Sequence, residues 1–125
     1  MLKFSTMKVY LTLLFPKTAA SGATLERWLH KTGTELKAGD ALLAFHANGR
    51  SETLPCAASG TLKVTLCREG EELPRGAGIA VLNSPEVQAR EIEKRGLGKI
   101  LTPDEYQDAL AHAEAASIRL PPEEL

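Results

Sequence analysis

The stretch TLERWLHKTGTELKAGDALLAF, residues 24–45, recurs 37 residues further along the chain as TLKVTLCREGEELPRGAGIAVL, residues 61–82. Seven of the 22 aligned positions are identical without a gap, and they are threonine, leucine, glutamate and glycine positions. Self-similarity at a fixed period is typical of a fold built from similar structural units. The repeat therefore predicts a domain made of two related halves.

Each copy of the repeat has the pattern of strands separated by two turns. In the first copy, Leu25 and Leu29 are apolar positions of one strand, and a turn follows at Gly33. One inward-facing leucine, Leu36, precedes a second turn at Gly39 and the apolar segment ALLAF. Neither half can enclose a core alone, so we expect an all-β, quasi-symmetric flattened sandwich or barrel.

The segment HANGR, residues 46–50, connects two apolar runs between the repeat copies. Asn48-Gly49 is a strong signal for a two-residue type I′ hairpin turn, because both positions accept positive φ. The simplest interpretation is a plain turn. A contact between His46 or Arg50 and a partner protein is the alternative.

The composition is that of an ordinary globular chain with few aromatic residues. The 125 residues include 15 Lys and Arg against 16 Asp and Glu, with 43% hydrophobic and 5% aromatic residues. This length fits one domain of about 80 to 100 residues with an appendage. The net charge of −1 argues against nucleic acid or an anionic membrane as the main partner.

No catalytic or metal-binding pattern is visible in the sequence. Cys56 and Cys67 belong to no CxxC motif, and the three histidines are scattered. We expect both cysteines to be reduced thiols of a cytoplasmic protein, with a disulfide between them as the alternative. The chain is predicted not to be an enzyme.

The N-terminal residues have a faint outline of a secretory signal, with early lysines and a short apolar run. Thr12 interrupts this run, and Pro16 and Lys17 follow it directly. A first β-strand is therefore predicted, and Met7 is an alternative start. No run approaches the roughly 18 apolar residues of a transmembrane helix.

From residue 84 onward the sequence pattern changes to helices. Ser84 before Pro85 predicts a helix start, and Gly96 predicts its end. Thr102 and Glu105 have the spacing of a capping box for a second helix. Residues 84–125 are predicted to form a C-terminal α-helical hairpin that folds onto the sandwich, with docking to another protein as the alternative. The expected apolar face of the second helix comprises Tyr106, Ala109, Leu110 and Ala113.

Residues 8–83 resemble the biotinyl/lipoyl-attachment domain family, which is also called the single hybrid motif. The resemblance rests on ATLERWLHKTGTELKAGDALLAF, LPCAASGTL and VTLCREGEELPRGAGIAVL. It implies a barrel-sandwich hybrid, a biotinyl/lipoyl-like flattened β-sandwich whose halves are related by a pseudo-twofold axis.

Members of this family carry lipoate or biotin on a lysine at the tip of a protruding hairpin. An ungapped alignment places Asn48 on the residue before that lysine and Gly49 on the lysine itself. Gly49 has no amine, and the guanidinium of Arg50 stays protonated and is a poor acyl acceptor. The resemblance thus implies a degenerate attachment site at Asn48, Gly49 and Arg50, with no cofactor, no catalytic residue and no metal site.

Two further features depart from the family pattern. The loop at residues 16–24 is about two residues shorter than expected, and Glu52 occupies a position that is usually apolar. By strand alternation Glu52 should share a face with Phe45.

The resemblance implies a non-catalytic cytoplasmic protein that binds other proteins, with components of a multienzyme complex as candidate partners. The segment GKILTPDEYQDAL resembles short C-terminal oligomerisation modules, which implies that a homo-oligomer could form through the C-terminal helices. Two alternatives remain at this point. One is a genuine lipoyl or biotin carrier modified on Lys17, Lys37 or Lys63. The other is a transport-adaptor-like protein with the same motif.

Overall fold

The computed structural model describes residues 7–16 and 22–118, with only the backbone for residues 114–118. The strands and helices follow one another as β1 (Lys8–Leu14), β2 (Thr24–Trp28), β3 (Glu35–Leu36), β4 (Ala41–Ala47), β5 (Arg50–Pro55), β6 (Gly60–Thr65), β7 (Gly78–Pro85), α1 (Glu86–Lys94), β8 (Gly98–Leu101) and α2 (Pro103–Ile118).

The strands form two antiparallel sheets that share one apolar core. The five-stranded sheet has the order β3-β6-β7-β1-β8, and the three-stranded sheet has the order β2-β4-β5. Buried leucines of both sheets, such as Leu11 and Leu82 in one and Leu25 and Leu42 in the other, belong to one cluster. The prediction of a mostly β chain is confirmed.

The 37-residue repeat of the sequence recurs in the backbone hydrogen bonds. The amide of Gly33 donates to Leu62 O, and the amide of Gly70 donates to Leu25 O, both at 2.7 Å. The pairing of β2 with β4 also has the same register and the same irregularity as the pairing of β6 with β7. The turn at Gly33 in one half and the turn at Gly70 in the other are thus each held by a backbone hydrogen bond to the opposite half.

Strand β5 occupies in one half the place that β1 occupies in the other. Phe45 pairs with Glu52 in the first half, and Leu82 pairs with Leu11 in the second. The same register places Gly49 on Lys8, a shift of 41 residues. The two sheets thus contain strands that pair in matching registers, and β8 extends only one of the sheets.

The C-terminal segment contains two helices, as expected, but a strand separates them. Strand β8 pairs antiparallel with β1 and forms the edge of the five-stranded sheet. Gly98 permits this close approach, because a Cβ atom there would lie 2.9 Å from both Leu11 Cδ1 and Thr12 O. The sequence predicts only a connection between two helices at GKIL, because four residues without a hairpin turn give little strand signal.

Ser59 joins three segments through three different polar groups. Its hydroxyl oxygen accepts from Ala38 N at 3.1 Å, its amide donates to Gln88 Oε1 at 2.7 Å, and its carbonyl accepts from Ser84 Oγ at 2.6 Å. Ser84 is therefore a buried donor near the end of β7, and the prediction that it caps α1 is wrong. Pro85 holds the cap position, without a side-chain hydrogen bond.

The predicted start of α2 is confirmed by both hydrogen bonds of its capping box. The amide of Glu105 donates to Thr102 Oγ1 at 3.1 Å, and the amide of Thr102 donates to Glu105 Oε1 at 2.8 Å. The helix then covers the outer face of the five-stranded sheet, where Tyr106 stacks on Tyr10 with ring centroids 3.7 Å apart. The side chains of this outer cluster are Tyr10, Val64, Leu66, Val81, Leu101, Tyr106, Leu110 and Ala113.

Candidate functional site

The hairpin between β4 and β5 ends in the two-residue turn that the sequence predicts. Asn48 and Gly49 have φ values of +54° and +74°, which is the left-handed pair that a type I′ turn requires. Asn48, Gly49 and Arg50 are all exposed, whereas Ala47 is buried. The tip is therefore accessible to other molecules, and none of its three residues carries a primary amine.

His46 lies on the outer face of the three-stranded sheet, close to the tip. It is exposed and pairs with Thr24 on one side and Ser51 on the other. The hydroxyl of Ser51 donates to Glu26 Oε1 across this face. The face next to the tip is thus polar and hydrogen-bonded.

The carboxylate of Glu52, at a position where an apolar residue is expected, is explained by its exposure to solvent. The described elements of the C-terminal segment cover β1 but do not cover β5. Its counterpart Leu11 is fully buried, because Ile92 of α1 and Gly98 of β8 lie beside it. No element of the described chain covers β5 in the same way, and Glu52 is exposed. Arg50 likewise replaces the half-buried Val9. Charged residues therefore stand at β5 where apolar residues stand at β1.

The lysines that the sequence analysis considered as alternative attachment sites lie away from the tip. Lys37 is exposed in the turn after β3, and Lys63 is exposed on β6. Lys17 and the loop around it fall outside the described residues. The structure adds Lys8, which is the counterpart of Gly49 at the opposite corner and pairs with Pro85.

Lys8 could not be found from the sequence, because β1 and β5 share too few residues. Over the seven aligned positions, only the adjacent threonine and leucine are the same in both strands, Thr12 with Leu13 and Thr53 with Leu54. The correspondence becomes clear only from the two strand registers.

Both cysteines are free, as expected. Burial raises the pKa of the Cys56 thiol, whose Sγ donates to Ala58 O at 3.1 Å. Burial also raises the pKa of Cys67, which the charge of Glu71 raises further. A reactive cysteine needs the opposite shift, since the thiolate is the attacking species.

An apolar cavity of about 180 Å³ lies between the two halves. Its lining contains matching residues of both halves, such as Leu13 with Leu54 and Leu42 with Ile79. The lining is apolar apart from the thiol of Cys56. Across residues 7–16 and 22–113, whose side chains the structure describes, no three His, Cys, Asp or Glu side chains converge as metal ligands. None of the described helices combines the length and the hydropathy that crossing a membrane would require.

Comparison with protein-family models and with curated proteins finds no match to this chain. The tip, its neighbouring polar face and the edge of β5 are thus interpreted from their own geometry and chemistry.

Proposed function

We propose that the chain is a non-catalytic relative of the biotinyl/lipoyl-attachment domains that has lost the attachment lysine and acts by binding other proteins. The observation that supports this proposal is the tip of the β4–β5 hairpin. This tip is an exposed type I′ turn at the end of a hairpin in the three-stranded sheet. The position that would carry the prosthetic group is Gly49. Without an amine there, lipoate or biotin has no nitrogen to acylate at this tip.

The fold proposed with this function is the barrel-sandwich hybrid. It is supported by the matching registers of the two halves and by the single core between the sheets. In this proposal residues 8–83 form the biotinyl/lipoyl-like domain, and residues 84–125 form an appendage. Because β7 continues to Pro85 and β8 joins the sheet, the appendage is a helix–strand–helix unit within the described residues.

The proposed partners are protein components of a multienzyme complex in the cytoplasm, with no role for nucleic acid or membrane. The near-neutral net charge of −1 and the polar face around His46 are compatible with protein contacts. Homo-oligomers through α2 would need a surface other than its apolar face. Tyr106 and Leu110 of that face already pack on the chain's own sheet.

The first test is the intact mass of the protein isolated from its own cells. We expect the mass of the unmodified chain, because the tip has no acylation site. An added mass equal to a lipoyl or biotinyl group would contradict the proposal and favour the carrier alternative. Peptide mapping would then decide between lysines such as Lys8, Lys37 and Lys63.

The second test restores the missing amine at the tip. The double variant Asn48→Asp/Gly49→Lys, produced together with a lipoate or biotin ligase, should gain the corresponding acyl mass if the hairpin has the family's geometry. A lysine at φ near +74° costs about 1 kcal/mol, which a folded hairpin can tolerate. Arg50→Lys, with a lysine one residue further along, is the matched control and should stay unmodified. Failure of both ligases on the double variant would argue against the proposed relationship.

The transport-adaptor alternative is tested separately by cell fractionation. We expect the protein in the cytoplasmic fraction. Recovery from the periplasm would support the adaptor instead, because those proteins require export.

A further inference from the structure

The outer edge of β5 is a surface of the described chain to which no role has yet been assigned. β5 is an edge strand of the three-stranded sheet, and no strand of the described chain pairs with its outer side. Its counterpart β1 is covered by β8 over the four residues from Tyr10 to Leu13. An uncovered edge presents backbone N–H and C=O groups that another strand can bind.

The hairpin turn determines which backbone groups of β5 are available. In a two-residue hairpin, the residues that flank the turn exchange both backbone hydrogen bonds, and the bonding direction alternates along each strand. Ala47 and Arg50 are the flanking pair here. The backbone groups of Arg50 and Glu52 therefore face β4, whereas those of Ser51 and Thr53 face away from the sheet.

Two opposite charges flank Ser51 along this free edge. Arg50 and Glu52 are exposed, and neither side chain forms an ion pair or a hydrogen bond with another residue that the structure describes. Inward charges protect an edge against apolar strands and against edges of like charge. The order Arg50-Ser51-Glu52, however, is complementary to itself when a second copy is placed antiparallel.

We propose that β5 pairs antiparallel with β5 of a second copy of this chain. Ser51 stands opposite Ser51 of the second copy, and Arg50 of each copy stands opposite Glu52 of the other. The contact is isologous, as in a dimer with a twofold axis, and it joins two three-stranded sheets into one sheet of six strands. Its charge pairs are exposed, so the association is weak and sensitive to salt.

Three antiparallel registers can pair the outward-facing residues Ser51 and Thr53 of two copies. The charges and Pro55 favour the one that places Ser51 opposite Ser51. Placing Ser51 opposite Thr53 would put Glu52 directly opposite Glu52, which is a repulsive pair. Placing Thr53 opposite Thr53 would bring Ser51 opposite Pro55, which has no N–H to donate. Only the register centred on Ser51 places each charge opposite a charge of the other sign, and the backbone hydrogen bonds that it forms within β5 are the two that Ser51 exchanges with Ser51 of the second copy.

Reversing the charge at Arg50 or Glu52 tests both the proposed surface and its register. The dimerisation of the full chain is measured by sedimentation at low salt over a range of protein concentrations. The wild type should show concentration-dependent dimers. Arg50→Glu and Glu52→Arg each turn two attractive pairs into repulsive ones and should lower the association constant roughly 30-fold. In an equimolar mixture of the two variants, each chain again meets opposite charges, so dimers should return to about the wild-type level.

Arg75→Glu is the matched control, because Arg75 is exposed in the turn before β7 and far along the chain from β5. It should associate like the wild type. A wild type that stays monomeric over the whole concentration range would overturn the proposal. So would dimers that both variants leave unchanged, or a mixture that fails to recover association. Circular dichroism confirms that each variant is folded before sedimentation.

Discussion

Gly60 and Gly49 are required for two different physical reasons. A Cβ atom on Gly60 would lie 2.6 Å from Asn83 O, which belongs to the backbone of β7. A Cβ atom on Gly49 would meet nothing within 4 Å, but the φ of +74° disfavours any side chain. The first glycine allows two strands to approach closely, and the second allows the turn at the tip to form.

We therefore expect Gly60→Ala to be far more destabilising than Gly49→Ala. The alanine at residue 49 should cost about 1 kcal/mol in the free energy of unfolding, from backbone strain alone. The alanine at residue 60 should cost roughly 3 kcal/mol or more, because the clash is with backbone atoms. Urea unfolding followed by the fluorescence of the single tryptophan, Trp28, measures both values. Equal costs would contradict the steric role of Gly60.

At the scale of elements, the start of α2 depends on a charged capping box. The pKa of Glu105 is lowered from its ordinary value of 4.5, first by the hydrogen bond from the Thr102 amide and further by Lys99 nearby. A carboxyl group with a lowered pKa in the folded state stabilises that state above its unfolded pKa. This contribution disappears as the pH falls through the folded pKa.

Glu105→Gln should therefore lower stability at pH 7 and have progressively less effect below about pH 4.5. Glutamine retains the acceptor oxygen but not the charge, so the pH-dependent part of the cap is lost. Urea unfolding of both proteins at pH 7, 5 and 3 measures the difference. Asp108→Asn removes a charge one turn later, outside the box, and should change stability less at pH 7. A Glu105→Gln effect of equal size at all three pH values would refute the electrostatic contribution.

Most elements of the two sheets were predictable because their signals are local. The glycines of the repeat mark the turns, the leucines mark the core, and Asn48-Gly49 specifies the hairpin tip within two residues. β8 was missed because its pairing with β1 depends on a contact between segments distant in sequence. The misassignment of Ser84 has the same origin, since its hydroxyl prefers the carbonyl of Ser59 over the nearby helix. The partner that binds at the tip could not be predicted, because Asn48-Gly49 is fully explained as a hairpin turn and carries no further signal for a ligand.

At the scale of the whole molecule, the outer faces of the two sheets have matching strand registers but opposite character. Helix α2 covers the face that contains Tyr10 and Val64. Their counterparts on the other sheet are Ser51 and Arg27, which are exposed to solvent. The two halves thus share a backbone plan, and their sequences differ where the appendage covers only one of them.

This asymmetry predicts substitutions whose effect reverses when α2 is removed. A chain ending at Leu101 should aggregate, because it exposes the apolar outer face of the five-stranded sheet. Tyr10→Ser together with Val64→Arg, which copies the polar face, should restore solubility to the shortened chain. In the full chain the same pair should lower the free energy of unfolding by about 2 to 4 kcal/mol, because the introduced guanidinium would lie under the helix.

Light scattering of the shortened chains and urea unfolding of the full-length proteins provide the two measurements. A shortened chain that stays monodisperse without the substitutions would show that α2 does not protect the sheet.

The junction at Ser59 has a consequence for the order of folding events. Its three hydrogen bonds close chain loops of 21, 25 and 29 residues. Loop-closure entropy grows only with the logarithm of length, so these closures differ by only about 0.3 kcal/mol. Closure entropy therefore favours none of the three loops strongly over the others. Helix α1 should form in the same kinetic step as the strands that it contacts.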